Sequence, residues 1–94
     1  MDKTVLEIRC GTLECFLDRI SNTNTESERL RIAIEAGRLA ENIGRVTPKA
    51  SFTVRDYEEI QTILEHFSLA VLCDQLTWAQ DSLDLIKDIC CPFF

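Results

Sequence analysis

From Ile60 onward the chain carries two apolar series at helical spacing that fall on different faces of a continuous helix. One runs Ile60, Leu64, Phe67 and Val71 and reappears as Trp78, Leu85 and Ile89. The other runs Leu69, Leu72, Leu76, Ala79, Leu83, Ile86 and Cys90. A helix on the surface of a single bundle needs one apolar face, and at about 100° per residue these two differ by well over a right angle. Either the segment bends, so that each half turns its own face inward, or it is covered on two sides, which implies a partner. A break near Asp74-Gln75-Leu76 resolves most of the conflict, and Thr77 and Gln80 stand at the positions of a capping box for a new start. What the break leaves over is a short row, Trp78, Leu85 and Ile89, on the acid-bearing side of the last helix with Asp74, Asp81, Asp84 and Asp88. An apolar row flanked by carboxylates has the make-up of a binding patch. The alternative is that another helix of the same chain covers it.

Upstream, Ser21-Asn22-Thr23-Asn24 is a polar break, and Thr25 with Glu28 has the form of a capping box for a helix over 26–43. Along it Ile32, Ala36, Leu39, Ile43 and Val46 recur as a heptad seam. Ala33, Gly37, Ala40 and Gly44 form a stripe of small residues that lets a neighbour approach, and Gly44 is placed to close the helix in a left-handed conformation. The outer face alternates in sign through Glu28, Arg31, Glu35, Arg38, Glu41 and Arg45, which reads as a solvated ion-pair face or as a docking ridge for an acidic partner. Thr53 and Asp56, with Phe52 and Tyr57 as a hydrophobic staple, mark the next helix start. Residues 3–20 are ambiguous. Residues 4–10 alternate as a short strand would, while Leu6, Cys10, Leu13, Leu17 and Ile20 lie three or four apart, as a helix requires. A lone strand has nothing to pair with, so helix is favoured, with Gly11 a weak point inside it. The expected fold is an all-α bundle of three to four helices, about 3–20, 26–43, 54–74 and 77–90, in one domain spanning 1–94. A small core of this kind suits a homodimer.

The net charge of −6 is not evenly spread. Residues 51–94 hold Asp56, Glu58, Glu59, Glu65, Asp74, Asp81, Asp84 and Asp88 against only Arg55 and Lys87. Phosphate neutralisation needs lysine and arginine, so this part is not expected to bind nucleic acid directly, and a basic, apolar protein surface is its complement. The N-terminal residues are too polar for a signal peptide, no run is long enough for a membrane span, and an odd count of five cysteines suits a reducing cytoplasm. Cys10, Cys15, Cys73 and Cys90 sit at or beside apolar positions and read as small buried hydrophobes. A zinc set from Cys10, Cys15, His66 and Cys73 is the looser alternative, and Cys91-Pro92-Phe93-Phe94 is a poor outline of a prenylation box. His66 has no neighbouring nucleophile, and the pairs Glu58-Glu59 and Asp81/Asp84 look solvated rather than catalytic.

The reading is therefore a non-enzymatic interaction module without cofactors: an acidic helical inhibitor, anti-activator or adaptor that contacts another protein through Trp78, Leu85 and Ile89, oriented by Asp74, Asp81, Asp84 and Asp88. The alternatives are an acidic mimic of nucleic acid, occupying a DNA- or RNA-binding site of a target, and a small zinc module or enzyme.

Overall fold

A computed structural model describes residues 3–90. The described residues form four α-helices, α1 Lys3–Ser21, α2 Glu26–Val46, α3 Val54–Leu72 and α4 Leu76–Cys90, with a 3₁₀ turn at Lys49–Ser51 between α2 and α3. Among the described residues there is no strand. The ambiguity over residues 4–10 resolves to helix because the three-and-four spacing buries Leu6, Cys10, Leu13, Leu17 and Ile20. Ile8, which strand alternation would place beside Leu6 and Cys10, is exposed. Each helix packs against two others, α1 on α2 and α4, and α3 on α2 and α4, so the four close into one ring around a shared core.

The small-residue stripe of α2 faces α3. A side-chain carbon added at Gly37 would lie 3.8 Å from Ser68, and one at Gly44 would lie 2.9 Å from the Gln61 amide oxygen. Pairing residue 37 with 68 and 44 with 61, seven apart on each helix, makes α2 and α3 antiparallel. The Gln61 amide fills the space by donating to the Gly44 carbonyl at 2.8 Å. Gly44 thus corrects one expectation: it has no positive φ and closes no helix. α2 continues past it to Val46, and the Thr47 N–H and hydroxyl both donate to the Ile43 carbonyl, at 3.0 and 2.6 Å. Glycine is there for the approach of α3. In the heptad seam Ile32, Ala36 and Ile43 are buried and Leu39 packs against them, while Val46 at the end is exposed.

The break between the two apolar series lies where the sequence requires it. α3 ends in a Schellman closure: the Gln75 N–H donates to the Ala70 carbonyl at 2.8 Å and the Asp74 N–H to Val71 at 3.2 Å. Asp74 takes the left-handed position with φ 58°, a conformation that Asp tolerates better than most residues. Past this turn Ala79, Leu83, Ile86 and Cys90 face the same core as Ile60, Leu64, Phe67 and Val71. Leu69 and Leu72, on the near side of the break, stay half exposed.

Three capping expectations meet different outcomes. Thr53 accepts from the Asp56 N–H at 3.1 Å, as its sequence position implies. Thr25 makes no side-chain cap, and the Glu28 carboxylate that would complete the box is taken by Arg31 at 2.6 Å. Thr77 lies inside α4 rather than before it, and the Gln80 amide donates across to Glu14 of α1 at 2.7 Å instead of reaching back. The competitor is a neighbour on the same helix at the first site and a tertiary partner at the second.

Glu14 also accepts from Lys87 at 2.7 Å, which joins α1 to α4. The Lys87 hydrogen bond holds the Glu14 carboxyl below the usual carboxylate range, and the same bond raises Lys87. A carboxyl lowered by folding contributes stability that is present above its unfolded pKa of about 4.3 and is lost as pH falls through the folded value. A lysine raised by folding contributes below about 10.4 and loses its contribution as pH rises through the folded value. Lys87 and Glu14 side chains are 35% and 29% exposed, so solvent screening holds the gain to about 1 kcal/mol or less. Glu14→Gln is expected to flatten the decline in urea midpoint between about pH 5 and about pH 2; a decline parallel to that of the parent chain contradicts the assignment.

Candidate interaction groove between the third and fourth helices

A groove of about 800 Å³ runs between the first half of α3 and the second half of α4. The tight turn at residues 73–75 makes it, because it folds α4 back along α3 and leaves their outward edges parallel. On α3 the core takes Ile60, Leu64 and Phe67, so the adjoining positions Glu59, Thr62, Ile63 and His66 form one wall. On α4 the core takes Leu83 and Ile86, so Leu85, Asp88 and Ile89 form the other. Ile63 and Ile89 are half-buried against the core, whereas Leu85 is 54% exposed. Trp78 is 39% exposed and stands one step beyond the groove, its ring 6.0 Å from that of His66, which lines it.

The structure divides the residues singled out from sequence. Leu85, Ile89 and Asp88 share the groove, with Trp78 at its edge. Asp84 accepts from Gln80 at 3.1 Å, on the α1 side of α4. Asp81 borders a separate cleft with Leu17 and Asp18 of α1. Asp74 lies in the α3–α4 turn and accepts from Arg29 at 2.6 Å. Glu58 and Glu59 look merely solvated in sequence and His66 has no neighbouring nucleophile; the antiparallel return of α4 brings them opposite Leu85. A second apolar patch was likewise split across the sequence. Leu30 and Leu72 line a cleft of about 420 Å³ between α2 and α3, with Ala33 and Val71.

Four carboxyl groups, Asp56, Glu58, Glu59 and Asp88, border the α3–α4 groove against two cations, Lys3 and Arg55. Both cations have local contacts: Arg55 donates to Glu59 at 3.4 Å, and the Lys3 ammonium sits 5.6 Å from the centre of the Phe52 ring. Glu58 and Asp88 have no ion pair among the described residues. The alternating face of α2 is an exposed ion-pair ladder, with Arg31 bridging Glu28 at 2.6 Å and Glu35 at 3.5 Å.

The cysteines divide in a way that corrects the expectation of uniform burial. Cys10 and Cys90 are buried, but Cys15 and Cys73 are exposed. Burial, with Cys90 nearby adding to it, pushes the Cys10 thiol up to about 12, which makes it an unreactive core side chain. The zinc set is not assembled: among the described residues no group of three or more His, Cys, Asp or Glu could hold a metal ion. The expectations placed on Cys91, Pro92, Phe93 and Phe94 lie outside the described residues. Among those described, no helix is long and apolar enough to cross a membrane. Comparison with protein-family models, with curated proteins and with solved structures found no match.

Proposed function

We propose that this protein is a non-enzymatic interaction module, an acidic helical regulator or adaptor that binds another protein along the α3–α4 groove. The observation that carries this reading is Leu85, 54% exposed over a groove floored by Ile63 and Ile89, while Ala79, Leu83, Ile86 and Cys90 of the same helix are sealed inside the bundle. The four helices close their core without Leu85 and Trp78. Their exposure therefore contributes nothing to folding, whereas covering them contributes to binding at about 25 cal/mol per Å² of apolar surface removed from water. A tryptophan at the rim of such a floor is the residue type most enriched among binding hot spots. The test is capture of cellular proteins by the parent chain and by the Trp78→Ala/Leu85→Ala double variant. The variant is expected to unfold within about 1 kcal/mol of the parent and to lose a specific captured protein. Unchanged capture of every protein by a folded double variant contradicts the proposal.

A further inference from the structure

We infer that the occupant of the α3–α4 groove is an amphipathic α-helix whose flanks carry lysine or arginine; the inference rests on the interaction reading above. Two features point to it. The first is the state of the backbone. Both walls are helices over the lengths that line the groove, from Arg55 to His66 and from Leu85 to Ile89, so apart from first-turn N–H groups of α3 and last-turn carbonyls of α4 their main-chain groups are paired within the helices. An extended peptide added there would find no continuous row of main-chain partners, such as a sheet edge offers, and would leave most of its own groups unpaired. A helix satisfies its own backbone and needs only side-chain contact. The wall from Arg55 to His66 is about 16 Å long at about 1.5 Å per residue, which matches an apolar stripe of about three turns on an incoming helix.

The second feature is charge. Around the floor of Ile63, Leu85 and Ile89 the carboxyl groups outnumber the cations by two, four against two. Arg55 is turned to Glu59, and Glu58 and Asp88 stand on opposite walls without an ion pair among the described residues. An apolar stripe entering between them with cations on both flanks meets a carboxylate on each side. An acidic helix would bring like charges together, at a cost that excludes it. The only other titratable side chain on the wall is His66, which is exposed.

The test uses the whole chain and two synthetic peptides of about 14 residues, blocked at both ends, with leucine at helical spacing and the remaining positions either lysine or glutamate. Trp78, the one tryptophan of the chain, reports at the edge of the groove by fluorescence, with calorimetry as an independent readout. The lysine peptide is expected to saturate, to bind at least about tenfold more tightly than the glutamate peptide, and to weaken severalfold as salt rises from about 50 to about 500 mM. Glu58→Gln/Asp88→Asn is expected to weaken the lysine peptide by at least about threefold, and Asp81→Asn, the same loss of charge outside the groove, to leave it unchanged. Equal binding of the two peptides, or equal effects of the groove and Asp81 substitutions, overturns the inference. So does a mass by light scattering that doubles and that Leu85→Asp returns to monomer, since a second copy then fills the groove. If neither peptide binds while the Trp78→Ala/Leu85→Ala variant still loses its captured protein, the helical occupant is wrong and the interaction reading stands. If that variant captures as the parent does, the interaction reading itself fails.

Discussion

Phe67→Ala is expected to lower the unfolding free energy by about 3–5 kcal/mol, the range for deleting a buried aromatic ring. Phe67 has no exposed surface and is among the largest fully buried side chains. It belongs to α3, which packs on both α2 and α4, and the vacancy opens inside the core that these helices share. Domains of this size are stable by about 5–15 kcal/mol in total, and each kcal/mol is worth about 4–8 °C in melting temperature. The variant should therefore melt at least about 12 °C lower and be partly unfolded at physiological temperature if the parent lies at the low end of that range. Leu69→Ala, two residues further along the same helix but half exposed, is expected to stay within about 1 kcal/mol of the parent. Urea unfolding of both variants checks the contrast; similar midpoints would mean that α3 does not face the core as described.

The second large effect falls at the opposite end of the bundle from the groove. Arg29 has one guanidinium nitrogen donating to the carbonyls of Ile20 and Thr23, at 2.9 and 3.0 Å. The other donates to Asp74 at 2.6 Å. One side chain thus closes the end of α1, holds the α1–α2 turn and reaches the α3–α4 turn. Arg29→Ala is expected to cost about 2–3 kcal/mol, since it removes charge-assisted bonds from two main-chain carbonyls as well as the ion pair. Asp74→Asn should cost about 1 kcal/mol or less, because the exposed pair is screened, asparagine also tolerates the left-handed backbone and Arg29 keeps its two carbonyls. Arg29→Lys should recover only part of the loss, as an ammonium lacks the planar fork that serves three acceptors. Chemical unfolding of the three variants gives the order directly; Asp74→Asn falling as far as Arg29→Ala would assign the whole effect to the ion pair. This also fixes the role of Asp74, whose carboxylate serves the end of the bundle rather than the exposed row of α4.

Apolar spacing alone carried much of the fold. The conflict between Ile60-Leu64-Phe67-Val71 and Leu76-Ala79-Leu83-Ile86 demanded a break near Gln75, and the three-and-four spacing of Leu6 through Ile20 prevailed over alternation. Those signals are local and repeated, so no single contact overrides them. Capping was less legible because each cap rests on one side chain with competing partners. Thr25 lost its box when Glu28 turned to Arg31, Thr77 when α4 began one residue earlier and Gln80 turned to Glu14. Gly44 pointed to a helix end when its use was the approach of Gln61. The groove was half legible. Trp78, Leu85 and Ile89 stood out as apolar residues in excess of one face, but the α3 wall of Glu58, Glu59, Ile63 and His66 emerges only when α4 folds back beside it. The same holds for Leu30 and Leu72, which are far apart in sequence and line one cleft between α2 and α3.

We propose a bundle that seals its core within one chain and leaves the α3–α4 groove to a partner. Site-specific photocrosslinking in cells tests it most directly, with a photoreactive phenylalanine analogue replacing Leu85 in the groove or Arg38 on the outer face of α2. The expected result is a discrete adduct with a different protein from position 85 and none from position 38. An adduct from position 38 with none from position 85, both variants being folded, would contradict the claim.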